Sequence, residues 1–336
     1  MTSTPVSRRR FIGIVAATSA LTCLPWATKA MQAPATPLSS WQGVALGADA
    51  QLHIHHPDPV FAQTLIDNAL SEVRRLERIF SLYQEDSALR RLNRDGYLKQ
   101  APGDLTRLLL ESQRLSDLTH GAFDPTVQVL WDLYSQAAQR SDSSSKLPTA
   151  VELNQVLRQV NHKAIQIQDD TIRLKRPGMA LTLNGIAQGY ITDRITEQLK
   201  QAGLEHALVD MGEIRSLGMA PGDRPWRVGL AGDQVDRTSL LDLDVHNQAV
   251  STSSGSGTAL SRDGSVTHLF NPDNGQARPL YRSVSVVAGN ATIADALSTA
   301  FSWMSPQEIA QVLTTDPSLR AWVLPYKSEH LVPIHS

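Results

Sequence analysis

The sequence predicts an α+β protein, with long helices in its first half and short strands crossed by two helices in its second. Phe61, Leu65, Ala69 and Val73, continued by Leu76, Ile79 and Phe80, recur at the spacing of one helical face. Beyond about residue 150 the texture changes to short alternating or apolar segments bounded by turn residues, and no tandem repeat is visible.

Taken in order, the helical pattern runs over 60–94 and is broken by Ser81-Leu82-Tyr83. A second helix is expected from Asp86-Ser87, with Leu89 and Leu92 on its apolar face and Asn93 near its end. The stretch 105–119 is amphipathic and stops at His120-Gly121. Ala122-Phe123-Asp124-Pro125-Thr126 reads as a loop, with Pro125 opening a helix over 127–134. Residues 141–147 are polar and rich in serine, which marks a linker between a helix-rich part ending near 140 and a strand-rich part starting near 150. Strands are expected at 164–167, 171–174, 207–210, 226–230, 249–252 and 283–288. Helices are expected at 191–202, closed by Gly203, and at 291–303.

Residues 1–30 read as a targeting segment. Ser7-Arg8-Arg9-Arg10-Phe11-Ile12 is a twin-arginine signature followed by a modestly apolar run and small residues, too short for a convincing membrane span. The expectation is twin-arginine export to the periplasm, with no integral membrane segment after signal removal. Cys23 is the single cysteine and lies inside that segment, so the remaining chain has no thiol for disulfides, thiolate metal sites or thiol catalysis. With 31 Lys+Arg against 33 Asp+Glu and a basic leader, the rest is mildly acidic, which argues against a nucleic-acid surface.

The chemistry-bearing residues are scattered. Leu181-Thr182-Leu183-Asn184-Gly185-Ile186-Ala187-Gln188-Gly189-Tyr190, followed by Asp193, reads as a strand-to-helix elbow. Such an elbow suits phosphate at a helix N-terminus, or it is an ordinary turn. Asp295 and Thr299 stand four apart and share a helical face. They can offer two hard oxygens to Mg²⁺, or Asp295 can cap the helix while Thr299 packs. His268 is expected near a strand end before Asn271-Pro272, placed as a base or as a structural histidine. The run from Ser251 to Thr258 resembles a phosphate-cradling loop as well as a plain Ser/Gly turn. A G-x-S-x-G elbow and a Walker-type lysine are both missing from the sequence.

The order and identity of these elements resemble the ApbE-type FAD:protein FMN transferases. The resemblance is carried by Leu76-Glu77, Phe80-Ser81, Tyr83, Ser87 and Leu92-Asn93, then by 121–127 with Trp131, then by 184–190 with Asp193. It continues through Ser253-Ser254-Gly255, through 268–272 with Gly275, and through 294–300. It covers nearly all of 38–336 and implies an ApbE-like, T-fold-like arrangement of two packed subdomains. It further implies that Asp295, Thr299 and the Gly185 carbonyl hold Mg²⁺ and that Tyr83, Ala122, Phe123 and Asp124 contact FAD. Thr182 and Gln188 fall at cofactor-facing positions, and His268 at that of the catalytic histidine.

The implied reaction is attack of an acceptor threonine hydroxyl on the FMN phosphorus of FAD, expelling AMP. The family usually has Asp at the position of Thr182, Lys or an acid at that of Gln188, and Asp at that of Asn271. The run 210–215 is shorter than the usual double-glycine turn. With the twin-arginine segment these features resemble the NosX branch, which implies a NosR-like membrane flavoprotein as acceptor. Two other readings are a Mg²⁺-dependent FAD pyrophosphatase giving FMN and AMP, and a periplasmic flavin-binding assembly protein without catalysis.

Overall fold

The structure is a computed structural model that describes residues 12–13, 38–45, 47–140, 147–231, 239–257, 260 and 266–336. The expected targeting segment apart from Ile12 and Gly13, the linker at 141–146, and Thr258 lie outside the described residues. In chain order the strands are β1 Ile12–Gly13, β2 Leu38–Ala45, β3 Ala48–His55, β4 Tyr97–Leu98, β5 Ile165–Gln168, β6 Thr171–Leu174 and β7 Ala207–Asp210. They continue as β8 Ile214–Leu217, β9 Trp226–Ala231, β10 Ser239–Val245, β11 Ala249–Ser254, β12 Ser283–Ala288, β13 Arg320–Leu324 and β14 Val332–Ile334. The helices are α1 Pro59–Phe80, α2 Ala88–Asp95, α3 Gly103–Leu118, α4 Gln128–Ala138, α5 Ala150–Leu157, α6 Ala187–Gln201, α7 Ala291–Phe301 and α8 Pro306–Leu313.

An eight-stranded sheet in the order β14-β13-β12-β11-β8-β7-β3-β2 forms the centre. Its registers are antiparallel throughout, and Ile54 of the N-terminal hairpin pairs with Ala207. Helices α1, α6 and α7 pack on one face of this sheet. The other face carries a second core in which Leu208, Ile214, Val250 and Val287 meet Trp226, Val228, Leu230, Leu243 and Val245 of the β9–β10 ribbon. Both faces are thus covered, which is why β7 and β12 are buried at every residue and read as apolar or small runs rather than alternating ones.

Local chemistry explains the helix bounds nearest the site. Asp58 caps α1 by accepting from Val60 N and Phe61 N, with Pro59 in the first turn. Ser81 ends it, because its hydroxyl accepts from Tyr83 N and Gln84 N and turns the chain. Ser87 caps α2 through Arg90 N, as the sequence predicts. At the end of α3, His120 and Gly121 take consecutive left-handed conformations and Gly121 N donates to Ser116 O at 2.8 Å.

Two expectations need correction. The approach to the elbow, 175–183, is not a strand, and α6 begins at Ala187 rather than at Ile191. His268 is not on a strand either. Thr267 makes a single bridge-type contact, its N–H donating to Ala277 O at 2.8 Å, and the chain around His268 is irregular. At the elbow a side chain, not a neighbouring strand, satisfies the backbone, and around His268 the backbone pairs only locally, Thr267 with Ala277 and Asn271 with Gln276.

Candidate active site

Asn93 substitutes for a strand partner at the elbow. Its Nδ2 donates to Leu181 O at 2.8 Å, and Leu181 N donates to its Oδ1 at 2.7 Å. The next residue is tied to a different element, Thr182 N donating to Pro125 O at 2.8 Å while the Thr182 hydroxyl accepts from Asn184 N at 3.3 Å. An extended segment held in this way needs no ladder.

The start of α6 is already neutralised from within. Ala187 N donates to Leu183 O at 2.7 Å, and Gly189 N donates to Asp295 Oδ2 at 3.0 Å. The anion at this helix N-terminus is therefore the chain's own Asp295, at a position where the sequence left open a phosphate site or an ordinary turn. Two glycines let α7 come this close. A Cβ on Gly189 would lie 2.2 Å from Ala291 O, and one on Gly185 would lie 2.8 Å from Thr299 Oγ1. The elbow thus brings Gly185 against Thr299 and Gly189 against Asp295, two pairs whose members are more than 100 positions apart in sequence.

Asp295 does not cap α7. Asn290 does so through Ile293 N, and Asp193 of α6 accepts from Ala291 N, Thr292 N and Thr292 Oγ1 at 2.8, 2.8 and 2.5 Å. Arg215 Nη1 donates to the same Asp193 carboxylate at 2.8 Å. Asp295 is left fully buried one turn before Thr299, whose hydroxyl lies 3.3 Å from Ser253 Oγ. Tyr190 ties the other side of α6 to α3, donating to Asp104 Oδ1 at 2.7 Å and accepting from Arg107 Nη1 at 3.0 Å. Burial and then the Asp104 bond push the Tyr190 phenol up to about 12. Gln188 is buried at 2% exposure between these elements, its amide lying against Gly212, and neither amide atom has a hydrogen-bond partner among the described residues.

The turn 121–124 is built differently. Asp124 Oδ1 accepts from Thr126 N at 2.8 Å and Thr126 Oγ1 at 2.5 Å, and Oδ2 accepts from His162 N at 2.9 Å and lies 3.2 Å from His162 Nδ1. Phe123 is buried in the main core, and the N–H groups of Ala122 and Phe123 donate to Thr119 O and Oγ1. What this turn can offer a ligand is peptide carbonyls and the Ala122 methyl face, not the Asp124 carboxylate. His162 is a site residue the sequence reading missed. Its Nε2 lies 3.0 Å from Asp117 Oδ1, and the bond to Asp124, opposed by burial and aided by Asp117, raises its pKa. Nothing in its sequence neighbourhood pairs it with residues 38 and 45 positions away.

Tyr83 stands on the Ser81 turn and is 71% exposed. Its neighbour Leu82, together with Asn93, Arg90, Gln128, Asp132 and Ala180, lines a cavity of about 510 Å³. The His268 segment lies between two other elements: Thr267 abuts Gly255 at the end of β11, and Gly275 O accepts from Tyr134 Oη on α4 at 3.0 Å. Phe270 packs on Tyr134 in a small satellite core of its own. Asp295, Thr299, Gly185, Gln188 and Thr182 are linked by direct contacts or chain neighbours, and Thr182 joins them to Pro125 beside Asp124. Tyr83 and His268 flank this group on separate supports.

Fold and site together define an α+β protein with an oxygen-only donor group, Asp295, Thr299 and Gly185, where two helices meet under an antiparallel sheet. Residues 46–323 match the ApbE family, and the chain belongs to that family. A FAD:protein FMN transferase of Klebsiella pneumoniae is 26% identical over 297 residues, covering 83% of each chain. One of Vibrio cholerae is 29% identical over 255 residues, covering 73% of this chain and 74% of its own. The crystal structure of apo Pseudomonas stutzeri flavinyl transferase ApbE superposes with a TM-score of 0.75 at 21% identity, over 90% of this chain and 96% of that one. The ApbE protein of Thermotoga maritima gives 0.76 at 24% identity, over 88% and 97%.

Proposed function

We propose that this protein transfers FMN from FAD to a threonine hydroxyl of an acceptor protein and releases AMP, with Mg²⁺ held by Asp295, Thr299 and the Gly185 carbonyl. The observation that carries this reading is the convergence of those three residues through Gly189 N–Asp295 and the Gly185–Thr299 approach. They fit a hard cation: each offers oxygen, and Asp295 is fully buried, where a carboxylate calls for a positive partner. When bound, the ion would neutralise charge on the FAD pyrophosphate.

The chain's own residues supply the rest. The 121–124 turn and Tyr83 would position FAD, with Thr182 where the family usually has Asp and Gln188, buried against Gly212, where it has Lys or an acid. His268 would take the proton from the acceptor hydroxyl as its oxygen bonds to the FMN phosphorus and the P–O bond to AMP breaks. Positioning and charge neutralisation suffice for such a transfer, so the chain needs no nucleophile of its own. Support for a NosR-like acceptor and for twin-arginine export to the periplasm comes from 7–12 and from the short turn 210–215. Among the described residues no helix is long and apolar enough to cross a membrane.

The test is incubation of the purified protein with FAD and Mg²⁺, with and without an acceptor domain, followed by covalent flavin fluorescence and AMP release. Flavin on the acceptor threonine is expected, and Asp295→Ala should lower its rate at least ~100-fold, since charge neutralisation of this kind contributes several kcal/mol. Rapid AMP release without acceptor would make the protein a pyrophosphatase. Unchanged flavinylation in Asp295→Ala would remove Asp295 from the reaction.

A further inference from the structure

We propose that Ser253 is a positioning residue for Thr299: a row of hydroxyls with fixed proton order turns the Thr299 proton toward β11 and leaves its oxygen lone pairs facing Gly185. This rests on the reading above that Gly185, Asp295 and Thr299 hold a cation. The row consists of Ser251, Ser298, Ser253 and Thr299, with Oγ distances of 3.1 Å from Ser251 to Ser298, 2.7 Å from Ser298 to Ser253 and 3.3 Å from Ser253 to Thr299.

A hydroxyl has one proton and two acceptor positions, so a chain of hydroxyls is ordered once one donor is fixed. Here the fixed donor is Ser298, which gives its proton to the backbone carbonyl of Asp295 at 2.9 Å. Ser298 must then accept from both neighbours, Ser251 and Ser253. With its proton committed to Ser298, Ser253 can only accept from Thr299. The Thr299 proton is thereby drawn toward β11, and the unshared electron pairs of Oγ1 remain for the side of Gly185, where a Cβ would lie 2.8 Å from Oγ1. Ser251 and Ser298 are fully buried and Ser253 is 6% exposed, so water is poorly placed to reorder the row. Strand alternation separates this row from Thr252, whose hydroxyl meets Ser285 on the other face at 2.8 Å.

A threonine hydroxyl free to point its proton at the cation position would repel the ion it is meant to hold. Orienting partners of this kind typically contribute 10–100-fold to metal affinity.

The experiment measures Mn²⁺ binding by calorimetry and by its electron paramagnetic resonance signal, on the full chain without FAD. Thermal midpoints are taken in EDTA and in Mn²⁺. Ser253→Ala should weaken Mn²⁺ about 10–100-fold. Its midpoint in EDTA should stay close to that of the parent, so that the gain on adding metal is what shrinks. Ser253→Thr, which keeps the hydroxyl, should restore binding to within about threefold, and Thr252→Val should bind as the parent does. Ser253→Cys keeps the size and offers a poor acceptor; it should weaken binding like Ser253→Ala and serves if the alanine variant fails to fold. Parent-like Mn²⁺ binding by the Ser253 variants, with binding lost in Asp295→Ala and Thr299→Ala, would overturn the positioning role and leave the cation site standing. Retention of Mn²⁺ by Asp295→Ala and Thr299→Ala would overturn the site itself.

Discussion

The wall formed by α6 and α7 and the wall formed by the 121–124 turn are both held by carboxylates, Asp193 and Asp295 in the first and Asp124 in the second, but with different sets of partners. Asp193 binds mainly backbone amides of α7, backed by Arg215, and Asp295 binds the backbone amide of Gly189. Asp124 also accepts from two backbone amides, Thr126 N and His162 N, but adds to them the Thr126 hydroxyl and a histidine ring whose second nitrogen meets exposed Asp117. Amides and guanidinium keep their charge state across ordinary pH, whereas an imidazole does not. The wall proposed to hold an ion is fixed by partners that do not titrate near neutrality, and the wall proposed to touch FAD counts one that does among its partners. Precise ligand geometry favours placement on rigid elements, which the first wall provides.

The strongest way to break that contrast is to push α6 and α7 apart. Gly189→Ala puts a methyl 2.2 Å from a backbone carbonyl and 2.9 Å from Asp295 Cβ, and neither can swing away as a side-chain tip would. A loss of about 3 kcal/mol is expected, the upper end of the overpacking range. It should be visible as a lower unfolding midpoint in urea and should be independent of pH between 6 and 9. Asp193→Asn comes next. It retains one acceptor oxygen for the α7 amides and leaves Arg215 to Glu197, so about 2 kcal/mol is expected, the scale of a helix cap plus a weakened charged bond. Mn²⁺ affinity should fall along with stability in both variants, because both move Asp295 and Thr299 relative to Gly185.

The contrast also separates what sequence could show from what it could not. Helix α1 was legible because its stripe from Leu65 to Phe80 repeats the helical period. The hairpin β2–β3 was missed although β3 carries the signal, Ala48, Ala50, Leu52 and Ile54 alternating with Asp49, Gln51, His53 and His55; its edge partner β2, with Ser39-Ser40 and Gln42-Gly43 around Trp41, carries little. Gly185, Asp295 and Thr299 could be named through the family resemblance and their shared helical face. Why Gly189 and Asp193 accompany them became visible only when α7 was seen lying against α6. The elbow could be read from sequence as a phosphate site or as an ordinary turn, and sequence could not show that the Gly189 amide is taken by Asp295, 106 positions away. His162 gave no sequence signal at all, since a histidine between two distant carboxylates is a property of packing rather than of spacing.

That histidine supplies the smallest and most selective expected effect. Both His162 ring nitrogens lie within hydrogen-bond reach of carboxylate oxygens, and only the protonated ring can donate from both. The groups facing it are Asp124 from the turn and Asp117 from α3, with Lys163 3.9 Å from Asp117 on the solvent side. Because its folded pKa is raised, its contribution to stability is full below the unfolded value of about 6.5 and is lost as pH rises through the folded value. Above that point the ring keeps one donor, and either the Asp117 or the Asp124 ring bond goes, a change of about 1 kcal/mol. Between pH 6 and 9 the parent should therefore lose stability that His162→Asn, which has no proton to lose, does not. Amide exchange at Thr126 and His162 N, both bonded to Asp124, should, once corrected for the intrinsic base-catalysed rise with pH, quicken over the same range while the corrected exchange at Gly189, Ala291 and Thr292 stays constant. Equal acceleration in both sets would mean that the two walls open as one unit, and that the difference between their anchors has no mechanical consequence.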